Sequence, residues 1–357
     1  MLPLLIAACI GLRSSAVGVD DYAHALVLHD SVPVIDGHND LPWDIRKAGG
    51  VANVNLNRGK PDGCTDIPRL RAGHLGGQFW SVWVPTSLSA TEAPRVVREQ
   101  IATVKRMVAA YPSTFALAYT ADDIAKNFRS GKISSLIGME GGHSINSSIS
   151  TLREMYKLGA RYMTLTHSKN TPWADSANDR AANGGLSALG EKIVLEMNRL
   201  GMLVDLSHVS ADTMRDALRI TKAPVIFSHS CARAVCENVR NVPDDVLRMV
   251  ARNGGVVMVV FLDKYVTSSG KPTVSKLADH IDHIRRIAGI DHIGLGSDFD
   301  GGGGFPGLKD VSQFPNLTVE LLRRGYADSD IRKILGLNVI RVLRQAEDVS
   351  RQMSRRP

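Results

Sequence analysis

The chain is poor in cysteine and in aromatic residues, lacks any block of like charge, and has no apolar run long enough to cross a membrane. Each scarcity excludes something. The four cysteines, Cys9, Cys64, Cys231 and Cys236, show no CxxC or zinc-ribbon spacing, so a thiolate metal site is not expected. Cys231 and Cys236 are neighbours in one loop, but spacing alone does not pair them. With aromatics at 5% and basic residues scattered, the net charge of +7 does not build the clustered, stacking face that nucleic-acid binding requires. The one basic cluster, Arg351 to Arg356, reads as a frayed, solvated end. Linkers, low-complexity tracts and internal repeats are also missing. We therefore divide the chain into an apolar segment, 1–19, and one domain over 20–350, whose core is large enough to need no staples.

The segment Met1 to Leu12 is too short to span a bilayer as a helix. Its stretch Ile6-Ala7-Ala8-Cys9 is similar to a lipoprotein cleavage box, although the Lys/Arg-rich start of an export signal is missing. Export is the expectation, to the periplasm, as a lipoprotein, or by secretion; a cytoplasmic protein is the alternative. Without an apolar tail at the other end, a glycolipid anchor is not expected. The sequons at Asn146 and Asn316 matter only for a secreted eukaryotic product.

Set against these absences are five metal-binding side chains, each at the carboxyl end of a short apolar run. His38 and Asp40 follow Val32 to Ile35, Glu140 ends Ser135 to Met139, His208 follows Met202 to Leu206, and His229 follows Pro224 to Phe227. Four further runs are Gln78 to Val84, Arg161 to Thr166 before His167, Gly255 to Phe261, and His292 to Gly296 before Asp298. Val/Ile/Leu-rich runs of about four to eight residues, separated by amphipathic stretches, are the pattern of buried parallel strands joined by helices. The periodicity predicts helices at about 91–110, 149–158, 187–200, 211–221, 243–253 and 275–288, with a last one near 328–345. Eight such units define a (β/α)8 TIM barrel, whose active site gathers at the C-terminal strand ends. A doubly wound open sheet ranks second, because no Gly-rich phosphate fingerprint follows the first strand.

Nitrogen and carboxylate ligands without thiolates suit a hydrolytic zinc centre. In His38-Asn39-Asp40 the period-two alternation of a strand puts both side chains on one side, so they can grip one metal together. Glu140 has two oxygens with which to bridge two metals, and His208 and His229 can hold the second. Two ions roughly 3.5–4 Å apart share a water, lower its pKa and stabilise the oxyanion formed when it attacks a carbonyl or phosphoryl centre. Asp298 is placed to carry a proton from that water to a leaving amine. His167, left over from the five-ligand set, is placed to donate to the oxyanion; the plainer reading is a His bonded to a loop carbonyl. Asp300 is a candidate for ordering the Gly301 to Gly304 loop, and His143 for supporting the site from behind. His280 and His283 fall on the outer ring and are read as unconnected with metal. Arg233 and Arg240 are both candidates for a bidentate pair with a substrate carboxylate, and spacing does not choose between them. Trp43 and Trp173 are candidates for the pocket wall, although ordinary packing is the favoured reading of an isolated tryptophan.

At these residues the chain resembles the membrane dipeptidase, or renal dipeptidase, family of zinc peptidases within the amidohydrolase-like barrels. The resemblance rests on Val34-Ile35-Asp36-Gly37-His38-Asn39-Asp40-Leu41-Pro42-Trp43, Gly138-Met139-Glu140-Gly141-Gly142-His143-Ser144, Asp205-Leu206-Ser207-His208-Val209-Ser210, Arg240-Asn241-Val242-Pro243 and Ser297-Asp298-Phe299-Asp300-Gly301. These segments, in family order, span about 30 to 345. The resemblance implies one zinc on His38, Asp40 and Glu140 and another on Glu140, His208 and His229. It implies His167 at the substrate and oxyanion, Arg240 at the terminal carboxylate, Asp298 as acid/base that also meets the amine, and Tyr265 in the substrate pocket. It further implies hydrolysis of dipeptides, including those with a C-terminal D-residue, and a homodimer. Lys169 and Ser268 stand where anchored mammalian relatives carry cysteine, so the chain is more similar to an unanchored, bacterial-type member.

A related barrel hydrolase acting on a lactone, cyclic amide or phosphotriester is the competing enzyme class. Many such enzymes bridge their metals with a carboxylated lysine, whereas Glu140 holds that position here. A catalytically silent scaffold is the third reading, and it conflicts with an intact set of ligands and proton carriers.

Overall fold

The computed structural model describes residues 17–355 apart from 60 and 61. Most of the apolar segment, with Cys9 and the cleavage-box reading, lies outside the described residues. Eight parallel strands form the ring: β1 (Val34–Asn39), β2 (Leu75–Ser81), β4 (Ile133–Glu140), β5 (Ala160–Thr164), β6 (Leu203–Asp205), β7 (Ile226–Phe227), β8 (Val256–Val259) and β9 (Ile293–Leu295). Pairing of β1 with β9 and of β2 with β4 closes it, so the sheet is a barrel and not an open doubly wound one.

The remaining strand, β3 (Phe115–Leu117), runs beside the N-terminal half of β4, from Phe115 opposite Ile133 to Leu117 opposite Ser135. Further along, β5 takes over that edge of β4 from Ile137 onward. Sequence periodicity does not reveal β3, because three residues carry too little alternation to register.

Every residue of β1, β2 and β4 is buried, as expected of strands covered on both faces. Alternation sorts their side chains. Val34 faces the surrounding helices, whereas Ile35, Phe79, Leu136, Tyr162, Leu203 and Met258 fill the interior. Val339, Val342, Leu343 and Ala346 of the last helix join that interior cluster. The C-terminal helix thus plugs the N-terminal end of the barrel, leaving the other end to carry the site.

The helices Glu92–Ala110, Ile149–Leu158, Ala188–Leu200, Ala211–Ile220, Asp244–Asn253 and Val274–Ile287 stand where periodicity predicts them. Ser148, Ser187, Ser210 and Thr273 cap four of these by accepting a bond from an amide in the first turn. The predicted 328–345 helix is instead Asp328–Arg332, a π turn over Lys333–Leu337, and a helix Asn338–Ser354. Arg351 is therefore helical and paired with Asp348 rather than frayed. Helices at Val17–Ser31, Leu41–Lys47, Ile67–Ala72, Ala121–Arg129, Asp263–Val266 and Phe314–Arg323 go beyond the sequence reading. No helix among the described residues is long and apolar enough to cross a membrane.

Candidate metal centre

The strand ends deliver the ligand-type side chains to one place. Nε2 of His38 lies 3.3 Å from Oδ2 of Asp40 and 3.4 Å from Oε2 of Glu140. The other Glu140 oxygen, Oε1, lies 2.9 Å from Nε2 of His208 and 3.6 Å from Nε2 of both His229 and His167. Glu140 therefore presents one oxygen to each side. Three groups have ligand atoms within 4.8 Å of one another: His38, Glu140 and His229; Glu140, His167 and His208; and His38, Asp40 and Asp298. The groups interleave, so His167 and Asp298 stand as close in as the five ligand candidates.

Hydrogen bonds behind the imidazoles orient them. The Tyr162 hydroxyl lies 3.2 Å from the carbonyl oxygen of Gly37, to which it donates, and 2.8 Å from Nδ1 of His38, from which it accepts. Ser228 donates its one hydroxyl proton to Asp205 at 2.6 Å and so accepts from Nδ1 of His229 at 2.8 Å. In both rings the Nε2 lone pair is then turned toward Glu140. Nε2 of His208 and Nε2 of His229 face each other at 2.8 Å.

Two strand aspartates lock the neighbouring strand ends. Asp205 accepts from the amides of Ser207 and Ser228, and Asp36 from the amides of His38 and Ser297 and the Ser297 hydroxyl. Their signal in the sequence is the spacing Asp36-Gly37-His38 and Asp205-Leu206-Ser207-His208, an acid just before each histidine. His208 and Asp298 hold left-handed backbone, with φ of 68° and 62°, a conformation that costs non-glycine residues energy and concentrates at functional sites.

The charges fit a cation. Burial alone would raise the Glu140 carboxyl, but His38, His167 and His208 overcome it and hold the group well below the ordinary carboxylate range. Burial, aided by Arg240 and His167, drives His208 well below the ordinary range, and burial with His38 and His208 does the same to His229. Both imidazoles are thus neutral and able to ligate. For Asp298, burial raises the carboxyl well above its ordinary range; His38 opposes this and Asp40 and Glu140 reinforce it. Convergent lone pairs, a two-faced carboxylate and crowded acids are a donor set that suits divalent metal.

Arg240 is 1% exposed, and none of its three guanidinium nitrogens has a hydrogen-bond partner among the described residues. A buried charge without a partner is costly unless a ligand supplies one. Its carbon lies 5.2 Å from the centre of the Tyr265 ring, and its charge reaches His167, His208, His229 and Asp298. Arg233, in contrast, donates to the carbonyls of Asn238, Val239 and Asn241 and is spent on holding its own loop.

A cavity of about 450 Å³ opens over these groups, with Asp40, Glu140, His167, Asp298 and Tyr265 in its lining. Trp43 is also there, packed edge-on against Trp83 with ring centres 4.7 Å apart. Sequence reasoning misses Trp83, whose indole N–H is within 3.5 Å of Nδ1 of His167. Trp173 does not wall the pocket. It is fully buried against Gly142, where an added Cβ would lie 2.5 Å from the indole. His143 bonds the carbonyl of Val84, and Asp300 accepts from the amide of Cys64. His280 is held by Ala232 and Val266 and His283 by Asp244, on the outer helix as expected. Cys64, Cys231 and Cys236 are all free thiols.

A (β/α)8 barrel with carboxylate and imidazole groups converging at its C-terminal mouth has the make-up of a metal-dependent hydrolase. The model of the membrane dipeptidase family, peptidase family M19, matches residues 22–357, and the chain belongs to that family of metallopeptidases. It is 45% identical over 333 residues to Dipeptidase 3 of Rattus norvegicus, covering 91% of this chain and 67% of the rat protein. It is also 45% identical over 353 residues to Dipeptidase verJ of Clonostachys rogersoniana, covering 94% of this chain and 89% of that one. Among solved structures, a metallopeptidase from Rhodobacter sphaeroides liganded with a phosphinate mimic of the dipeptide L-Ala-D-Ala superposes with a TM-score of 0.81 at 26% identity, covering 88% of this chain and 99% of that one.

Proposed function

We propose that the protein is a binuclear zinc dipeptidase acting on dipeptides with free amino and carboxyl ends, including those with a D-residue at the C-terminal position. The observation that carries this reading is the buried Arg240, whose guanidinium has no hydrogen-bond partner among the described residues and whose charge reaches His167, His208 and Asp298 around the two-faced carboxylate of Glu140. One zinc would be held by His38, Asp40 and Glu140 and the other by Glu140, His208 and His229. Zinc bound there would lower the pKa of a shared water and polarise the scissile carbonyl.

The remaining groups divide the work around that carbonyl. Arg240 takes the substrate carboxylate, with Tyr265 beside it. Asp298, whose buried carboxyl readily takes up a proton, accepts one from the attacking water and passes it to the leaving amine. Trp83 donates to Nδ1 of His167, which leaves the proton on Nε2. Burial lowers the pKa of that ring, and with its proton on Nε2 it is set to donate to the developing oxyanion. The R. sphaeroides relative, with its L-Ala-D-Ala mimic, supports the inclusion of D-residues. A lactone or phosphotriester would leave Arg240 unanswered, which disfavours the related barrel hydrolases.

Zinc reconstitution tests the reading. Metal analysis should find two zinc ions per chain, and amino-acid release should be seen from both L-Ala-L-Ala and L-Ala-D-Ala. Inert dipeptides in a fully metallated protein would overturn it.

A further inference from the structure

The pocket mouth carries two lysines, Lys47 and Lys264, and they are not equivalent. Nζ of Lys47 is 2.7 Å from a carboxylate oxygen of Asp44, so its charge is answered within the protein. Lys264 is exposed at the rim, and no carboxylate among the described residues comes within 4.0 Å of its Nζ. Its charged end lies 5.2 Å from the centre of the Tyr265 ring.

The backbone of Lys264 is tied to the loop that presents Arg240. Asn238 donates its side-chain amide to the Lys264 carbonyl at 3.2 Å and accepts from the Arg240 amide at 3.0 Å. The next residue is clamped similarly, since the Asn241 side chain donates to the Tyr265 carbonyl at 2.9 Å. Arg240 and Lys264 thus each lie 5.2 Å from the centre of one tyrosine ring, the first buried beneath the pocket and the second exposed at its rim. Another part of the pocket lining is the aromatic pair Trp43 and Trp83, where the lysine among the described lining residues is the neutralised Lys47.

From this arrangement we propose that Lys264 selects dipeptides whose C-terminal residue has a carboxylate side chain, aspartate or glutamate. The proposal rests on the dipeptidase reading and on Arg240 as the anchor of the main-chain carboxylate. With that anchor occupied, the C-terminal side chain leaves the backbone beside Tyr265, where Lys264 is the unanswered cation. An acidic side chain gains an ion pair there that its isosteric amide does not. The N-terminal side chain, directed toward the tryptophans, meets no such charge.

The test compares kcat/KM for L-Ala-L-Glu and L-Ala-L-Gln in the zinc-loaded full chain, with L-Glu-L-Ala and L-Gln-L-Ala to probe the other end. An exposed ion pair predicts about a three- to fivefold preference for Ala-Glu over Ala-Gln at low salt. That preference should shrink toward unity at about 0.5 M salt, where the screening length is only a few ångströms. Lys264→Gln should bring the Glu-to-Gln ratio to about one, and Lys264→Glu should push it below one. Because the residue is exposed and the readout is a ratio within one protein, loss of active material does not imitate the effect. Cleavage of Ala-Gln and Ala-Glu at equal efficiency, a ratio unmoved in Lys264→Gln, or a preference seen only at the N-terminal residue overturns the proposal and leaves the dipeptidase reading standing. Failure to cleave any of the four dipeptides overturns both.

Discussion

The hydroxyl of Tyr162 sits 2.8 Å from Nδ1 of His38, joining the middle of the barrel interior to the first of the site histidines. The ring is held from the other side by Gly138, where an added Cβ would lie 2.0 Å from it. With the hydroxyl donating to the Gly37 carbonyl, His38 is left with its proton on Nδ1 and its lone pair on Nε2. Removing the oxygen removes this constraint without removing the ring.

Tyr162→Phe should therefore keep the fold and weaken metal binding by roughly 10- to 100-fold. Chelator competition measures the affinity, and circular dichroism checks the fold. Unchanged affinity in a folded variant would show that the hydroxyl does not orient His38.

Glu140→Gln replaces one of the two oxygens proposed to bridge the metals by an amide and removes the charge that His38 and His208 both face. At least one equivalent of metal and nearly all turnover should go together. A variant with full activity and two bound zinc ions would sink the bridging role.

Asp298→Asn tests the proposed proton transfer apart from the metals. Turnover should fall by roughly 10²- to 10⁴-fold while metal content stays near that of the parent protein. Equal losses of metal and activity would instead make Asp298 a ligand, a role its closeness to His38 and Asp40 also permits.

Far from the site, burial pushes His29 down to about 4 from its ordinary 6.5, while its ring bonds Thr318 at 2.7 Å and the Gly73 carbonyl at 3.3 Å. The unfolded chain takes up a proton as pH falls below 6.5; the folded chain resists until about pH 4. Stability is thus lost on acidification across that window, by about 2 kcal/mol between pH 7 and pH 5. His29→Gln should start less stable at pH 7 and lose less between those two values in urea titrations. Parallel losses in the two proteins would remove His29 as the cause.

Much of the fold was legible because a parallel barrel buries both faces of its strands, and buried strands write themselves as apolar runs ending in polar residues. The ring of eight strands and the placing of His38, Glu140, His208 and His229 at one mouth follow from that rule. What stayed hidden depends on contacts across the barrel. Tyr162 meets His38 from 124 residues away, and Trp83 meets His167 from 84. No local pattern encodes either pair. Arg233 and Arg240 look alike in sequence, and only burial and partners separate them. Trp43 and Trp173 likewise follow strand ends alike in sequence, and only Gly142 shows that Trp173 turns inward into ordinary packing while Trp43 reaches the mouth.

Dependence of hydrolysis on the two ends of the substrate tests the proposed roles of Arg240 and Asp298 together. In the zinc-loaded protein, kcat/KM would be measured for L-Ala-L-Ala, its N-acetyl derivative and its C-terminal amide. With Arg240 holding the carboxylate and Asp298 the amine, as proposed, cleavage should be confined to the dipeptide with both ends free. Comparable cleavage of the blocked compounds would contradict those roles.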